Sequence, residues 1–160
     1  MKATASRPEP APLTALVAPT DVGLWLRLLE SHNRILAELR RDLEGVCTLA
    51  RFDLLATLDK EDGITLATLS RRLLVTAGNV TGLVARAERD GLVLRRADKT
   101  DRRLSRVHLT AKGRSLVAEL VPLHGEHLSR LLGGLDGKER RDLHRLLGKL
   151  RDSLRAKERR

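Results

Sequence analysis

Leu69-Ser70-Arg71-Arg72-Leu73-Leu74-Val75-Thr76-Ala77-Gly78-Asn79-Val80-Thr81-Gly82-Leu83-Val84-Ala85-Arg86-Ala87-Glu88-Arg89-Asp90-Gly91 is followed by a basic, strand-forming segment that ends at Leu109. The part from Thr76 to Asp90 reads as one helix. Val80, Leu83, Val84 and Ala87 fall at i, i+3, i+4 and i+7, a single apolar face at the 3.6-residue period. At 100° per residue the opposite face carries Gly78, Gly82, Ala85 and Arg89, with Asn79, Thr81 and Arg86 on its flanks. Nothing bulky sits at the centre of that outer face. Such a helix fits a groove ~12 Å wide, where short polar side chains reach base edges. Thr76 is the expected N-cap, and Gly91 is the expected glycine just past the last turn.

Working outward, Thr65 is placed to cap a preceding helix with Leu66, Leu69 and Leu73 inward, and Leu74-Val75 reads as a tight turn. Two short helices joined this way make a helix-turn-helix. Before them, Leu49 to Leu58 reads as a short helix with Phe52, Leu55 and Leu58 inward, and Glu61-Asp62-Gly63 as a turn. After them, Leu92 to Arg96 and Leu104 to Leu109 read as strands of a hairpin. Its tip is Ala97-Asp98-Lys99-Thr100-Asp101-Arg102-Arg103. Asp101 is expected to pair with Arg103 or Arg95 and shape this wing, leaving Arg102 or Arg103 to enter a minor groove. Between Arg71 and Arg106 there are ten basic and four acidic residues, so +6 of the chain's net +10 falls where a groove-binding surface needs it.

Asn79-Val80-Thr81, Gly91-Leu92-Val93, Asp98, Asp101-Arg102-Arg103 and Leu109-Thr110-Ala111-Lys112-Gly113, in this order and spacing, resemble the winged-helix core of the MarR family of bacterial regulators. The similarity spans roughly Trp25 to Leu150. It implies a mainly α fold with a small β-hairpin wing, and terminal helices that interdigitate in a symmetric dimer. It also implies DNA contacts from Thr76, Asn79, Thr81, Arg86 and Arg89 on the recognition helix. Arg71 and Arg72 would touch phosphate, and Lys99, Asp101, Arg102 and Arg103 would form the wing. A twofold axis would set two such helices ~34–36 Å apart on a pseudo-palindromic duplex site.

The rest of the chain fits that organisation. Residues 1–20 form a Pro- and Ala-rich arm, expected to be loosely ordered. Asp21 is a candidate cap for a long first helix striped by Trp25, Leu28, Leu29, His32, Ile35, Leu36, Leu39 and Leu43, which ends at Gly45. Residues 49–109 make the reading lobe. Residues 21–45 and 110–155 make the dimerisation helices, the second group opening at Thr110. Pro122 is expected to kink that helix, and Gly133-Gly134 to end it. Asp136 and Glu139 resemble a capping box ahead of the leucine-striped final helix (Leu143, Leu146, Leu147, Leu150, Leu154), and the tail from Arg155 to Arg160 is expected to fray. These stripes carry more apolar surface than a small winged-helix core can cover, which marks an interaction surface.

Composition narrows the function classes. The pI is about 10.9, which favours a polyanionic partner bound in a salt-sensitive way. Only seven of the 31 basic residues are lysine; arginine suits bidentate contacts, and a GC-rich genome raises it as well. Aromatic residues are 1% of the chain, too few to grip single strands by base stacking. The single cysteine, Cys47, excludes an intramolecular disulfide and fits a reducing cytoplasm, with the protein on the nucleoid when bound to DNA. No apolar run spans a membrane, and prolines break up any apolar signal core in the arm.

Trp25, His32, Phe52, Asp53 and Arg86 form a second constellation. In the MarR family a crevice behind the reading lobe commonly takes a small aromatic or phenolic anion, and the Trp-plus-Asp/Arg theme is similar to the urate- and phenolate-responsive branch. An Asp53–Arg86 ion pair would then join the crevice to the recognition helix, and an anion competing for Arg86 would tilt it. The same residues also read, and more simply, as a core tryptophan, a satisfied histidine and a helix-surface carboxylate. Cys47 as an oxidant sensor, or as a small buried hydrophobe, is the next pair of readings. His124 and His127, with His108 and His144, are read as interface or surface polar residues; a metal site is the weaker reading, and no cofactor is expected. No nucleophile–base pair or phosphate loop supports an enzyme. The expectation is a homodimeric repressor relieved by a small anion. The alternatives are a redox-responsive or ligand-independent regulator of the same type, or a low-specificity architectural DNA binder.

Overall fold

The computed structural model describes residues 21–98, 100–101 and 103–158. Lys99, Arg102 and the N-terminal arm lie outside the described residues. In order, the elements are α1 (Asp21–Asp42), α2 (Leu49–Lys60), β1 (Ile64–Thr65), α3 (Leu66–Leu73), α4 (Ala77–Arg89), β2 (Val93–Ala97), β3 (Ser105–Leu109), α5 (Ala111–Leu131) and α6 (Gly137–Glu158). The chain divides into two units, residues 1–38 and 39–160.

Threonine punctuates the second unit. Thr48, Thr65, Thr76 and Thr110 are each extended in backbone, and each side-chain oxygen accepts from the amide three residues on: Arg51, Thr68, Asn79 and Gly113. Each cap satisfies a donor that the first helical turn leaves orphaned. Helix α6 starts with the expected reciprocal box: the Glu139 amide donates to Asp136 Oδ1, and the Asp136 amide to Glu139 Oε2, both at 2.8 Å. Two expectations at the termini change. Asp21 lies in the first turn of α1 rather than ahead of it. Helix α6 also continues through Arg155 to Glu158, where fraying was expected.

Helices α2, α3, α4 and α5 and the sheet enclose one core. Leu54, Leu55, Leu58, Leu69, Val80, Val84, Val93, Val107 and Val117 are fully buried in it. Truncating any of these leucines to alanine is a change that typically costs about 2–5 kcal/mol. The sheet is antiparallel with order β1-β3-β2. Strand β2 pairs β3 from Val93↔Leu109 to Ala97↔Ser105, and β1 pairs β3 at Ile64↔Val107 and Thr65↔Arg106. The short β1 strand is an addition to the hairpin expected from sequence. Gly63, at φ 73°, turns the chain into it, and a Cβ there would meet His108 Cε1 at 2.7 Å.

The exit of α4 and the entry of α5 are locked to each other. The Gly91 amide donates to Glu88 O and the Leu92 amide to Ala87 O, a Schellman closure around Gly91 at φ 72°. The Thr110 amide and hydroxyl donate to Leu92 O, its hydroxyl also to Gly91 O, and Lys112 Nζ to Asp90 O. A Cβ at Gly113 would fall 2.1 Å from Leu92 O, so only glycine admits this approach. The Thr110-Ala111-Lys112-Gly113 stretch therefore fixes the recognition helix against the base of the wing.

Further along, Leu43, Phe52 and Leu120 form a smaller cluster, with Cys47, Leu49 and Leu116 against it. Helix α6 buries none of its residues; Leu143, Leu146, Leu147, Leu150 and Leu154 are 40–52% exposed. In the first unit, Val22, Leu24, Trp25, Leu26, Leu28 and Leu29 are also exposed. Helix α5 runs unbroken through Pro122.

Candidate nucleic-acid interface

Helix α4 presents the two faces expected of it. Val80, Leu83, Val84 and Ala87 are buried, while Ala77, Gly78, Asn79, Thr81, Arg86 and Arg89 are exposed. The polar groups on the outer side differ in what they have left to offer. Thr76 Oγ1 is occupied as the cap. Thr81 Oγ1 donates to Ala77 O at 2.8 Å, so its only hydrogen is used inside the helix. The Asn79 side-chain amide has no hydrogen bond among the described residues, and Arg86 and Arg89 form no ion pair among them.

The other arginines of the lobe are mostly engaged. Arg72 pairs with Glu61, and Arg71 Nη2 donates to Thr68 Oγ1 at 3.2 Å. Arg95 is held by Glu88: its amide donates to Oε1 at 3.1 Å and its Nε to Oε2 at 2.8 Å, which lowers the Glu88 pKa. Arg106 pairs with Asp98, and its Nη1 donates to Gly63 O at 2.8 Å. Among the described basic residues between 71 and 106, Arg71, Arg86, Arg89, Arg96 and Arg103 are left without an acidic partner. Arg96 was not singled out from sequence as a contact. The available signal was its alternation with Arg95 along β2, because a strand turns neighbouring side chains to opposite faces.

The wing is organised by a different aspartate from the one expected. Asp98, 5% exposed, accepts from the Thr100 amide (2.8 Å), the Thr100 hydroxyl (2.5 Å) and the Asp101 amide (3.0 Å), and pairs with Arg106. These donors hold its carboxyl far below the usual carboxylate range. Asp101 instead accepts from the backbone amide of Arg103 at 3.0 Å. The expected pairing of Asp101 with the Arg95 guanidinium is replaced by Glu88–Arg95, because Glu88 on the last turn of α4 lies beside β2.

The ion pair expected between Asp53 and Arg86 is not formed. The link from α2 to the recognition helix is Arg51–Asp90 at 2.5 Å, joining the first turn of α2 to the C-cap of α4. Arg86 lies along its own helix, its Nη1 3.5 Å from where a Gly82 Cβ would stand. Asp53 faces His124, and desolvation raises its pKa although its surface remains exposed. His124 stacks on buried Phe52, ring centroids 4.4 Å apart, and burial lowers the imidazole's pKa. Trp25 is 57% exposed on α1, and His32 is exposed on the same helix.

The remaining reactive side chains are accounted for by packing and pairing. Cys47 is half-buried, and burial raises its thiol pKa more than the nearby Arg51 lowers it, opposite to what a reactive thiolate needs. His127 Nδ1 contacts Asp42 at 2.8 Å, and His108 Nδ1 contacts Asp62 at 3.3 Å. Asp62 also accepts from the Leu109 amide at 2.8 Å and pairs with Arg114 at 3.0 Å, which lowers its carboxyl pKa.

A helix-turn-helix with a wing and unpaired arginines on one side is what the comparisons with known proteins also point to. The MarR family model matches residues 47–104, from the cap of α2 to the end of the wing loop. The chain is 36% identical over 81 residues to the HTH-type transcriptional regulator YkoM of Bacillus subtilis, covering 51% of this chain and 53% of YkoM. Residues 47–104 belong to the MarR family. It is also 33% identical over 113 residues to the HTH-type transcriptional regulator TtmR of Methylorubrum extorquens, covering 69% of this chain and 55% of TtmR. The chain thus spans about half the length of these curated relatives. Among solved structures, BpsR of Bordetella bronchiseptica, whose DNA binding is regulated by 6-hydroxynicotinic acid, superposes with a TM-score of 0.73 at 29% identity. That match covers 82% of this chain and 98% of BpsR. These MarR relatives are transcriptional regulators, not enzymes. No helix among the described residues is long and apolar enough to cross a membrane.

Proposed function

We propose that this chain is a homodimeric, sequence-specific binder of double-stranded DNA that represses transcription until a small aromatic or phenolic anion releases it. The observation that carries the reading is the outer side of α4, with a free Asn79 amide, unpaired Arg86 and Arg89, and small residues between them. Asparagine and arginine supply the bidentate edges that read adenine and guanine in the major groove. Arg96 and Arg103 add phosphate or minor-groove contacts from the wing, with Lys99 and Arg102 between them in sequence. Arg71 and Arg72 serve as phosphate contacts once they leave Thr68 and Glu61. Asp101, and Thr76 through its cap, act by holding backbone in place.

Dimerisation is supported by the exposed leucine face of α6, which has no partner within the second unit. Release by an anion is supported by BpsR, which answers to a hydroxylated heteroaromatic acid. Trp25, His32, Phe52, Asp53 and Arg86 remain the residues proposed for effector response. Arg86 is assigned to both roles, so an anion that drew it off α4 would remove a DNA contact directly. The mechanism is a population shift: the effector must bind more tightly to a dimer whose helix spacing does not fit the operator.

The test is a competition titration at fixed salt. The chain is bound to its own upstream intergenic duplex in excess random duplex, then 6-hydroxynicotinate, urate and phenolic acids are added. A specificity ratio of about 10³ or more, lost on adding one of these acids, is expected. A ratio near one contradicts the regulator reading and leaves an architectural binder. A high ratio that none of the acids lowers contradicts the effector reading.

A further inference from the structure

The base-reading side of α4 does not offer all of its polar groups. Thr81 sits on one exposed flank of that side, one turn after Ala77 and next to Gly82. A threonine hydroxyl has one hydrogen, and here Ala77 O takes it at 2.8 Å. What remains for a base edge is the Thr81 methyl group and an oxygen that can only accept. Ala77, one turn earlier on the same face, adds a second exposed methyl. On the opposite flank, the Asn79 amide is free to give and receive a hydrogen bond together.

These remaining groups select bases. A side-chain amide pairs bidentately with adenine N6 and N7, and side-chain methyl groups pack on the thymine C5-methyl. We infer that α4 reads an A·T-bearing half-site, in which Asn79 takes an adenine and the Thr81 methyl packs on a thymine methyl, with the Thr81 hydroxyl excluded from base readout as a donor. This deepens the proposed function and rests on its assignment of α4 to the major groove. The two side chains divide the work: Asn79 supplies hydrogen-bond specificity, and Thr81 discriminates thymine from cytosine by a group that cytosine lacks.

The experiment starts by selecting a duplex from a random-sequence pool with the full chain. Each thymine is then replaced by deoxyuridine, which removes only the C5-methyl. The wild type is expected to lose about four-fold in affinity at one thymine per half-site, the factor that burial of one methyl carries. Thr81→Ser keeps the hydroxyl and loses the methyl, so it is expected to bind the thymine and deoxyuridine duplexes equally. Thr81→Val keeps the methyl and loses the hydroxyl, so it is expected to retain the four-fold preference. Preference kept by Thr81→Ser and lost by Thr81→Val overturns the inference and assigns readout to the acceptor oxygen. A selected half-site with no deoxyuridine-sensitive thymine also overturns it, while leaving sequence-specific binding intact. If no sequence is selected at all, the regulator reading fails and this inference with it. Thr81 is exposed, so both variants retain the core, and their affinity for random duplex checks that the lobe is folded.

Discussion

In the loop between β2 and β3 a single carboxylate, Asp98, gathers two backbone amides, a hydroxyl and the Arg106 guanidinium, and Arg106 carries the tie on to Gly63 O. These contacts are stronger to the charged form, so they hold the folded-state pKa below its unfolded value. A group depressed in this way stabilises the fold above the ordinary carboxylate pKa, and that stability drains away as the pH falls below it. Asp98→Asn is therefore expected to lower Tm at pH 7, with the gap to wild type closing as the pH drops below about 4. Thermal melts at several pH values measure this; a gap that stays constant would mean the charge does not matter. Sequence alone did not separate Asp98 from Asp101. Both are aspartates in one polar loop, and the choice depends on Arg106, which faces the loop from a strand that pairs across it.

Helix α4 holds Gly78 with ordinary helical backbone and open space where a Cβ would go, so nothing inside the chain requires glycine there. In a helix interior glycine is less stable than alanine by about 0.5–1 kcal/mol, and Gly78, the second residue of α4, falls at the low end of that range. Gly78→Ala is expected to raise stability by that amount and to weaken operator binding, because the added methyl stands on the side that meets DNA. Denaturant melts and binding titrations check the pair; a variant that is stabilised with unchanged affinity would take Gly78 out of the groove. The wing makes a separate contribution: Arg103→Ala is expected to lower the slope of log affinity against log salt by about one for each phosphate that the side chain neutralises. The helices themselves were legible from sequence because the 3.6-residue stripes and the threonine caps at 65, 76 and 110 are local signals. Strand β1 was not. It is two residues long and exists only because Ile64 and Thr65 pair with Val107 and Arg106, more than forty positions away in sequence. Likewise Arg51–Asp90 replaced the expected Asp53–Arg86 link, since which of two neighbouring α2 charges reaches α4 depends on helix phase against a distant partner.

For the molecule as a whole, net charge overstates what is available to DNA. Of the cationic groups between Arg71 and Arg106, those at 72, 95 and 106 are occupied by Glu61, Glu88 and Asp98, a division that composition cannot reveal. The exposed apolar surface points toward a larger assembly. The leucines of α6 are 40–52% exposed, and a helix that buries none of its face gains its stability from a partner. Leu150→Glu adds a charge to that face without touching the core of the reading lobe. It is expected to shift the chain from dimer to monomer in sedimentation velocity while the core still melts cooperatively. A dimer that withstands the charge would place the interface elsewhere. Operator affinity should fall with dimerisation, since two half-sites are then read separately.

The central claim is that α4 reads bases through its free Asn79 amide. Its most direct measurement is the affinity of Asn79→Ala for the selected duplex and for random duplex at one salt concentration. A loss of about 1–3 kcal/mol on the selected duplex with random binding unchanged is the predicted result. An equal loss on both duplexes would contradict it, because a group that matters alike for every sequence is not reading one.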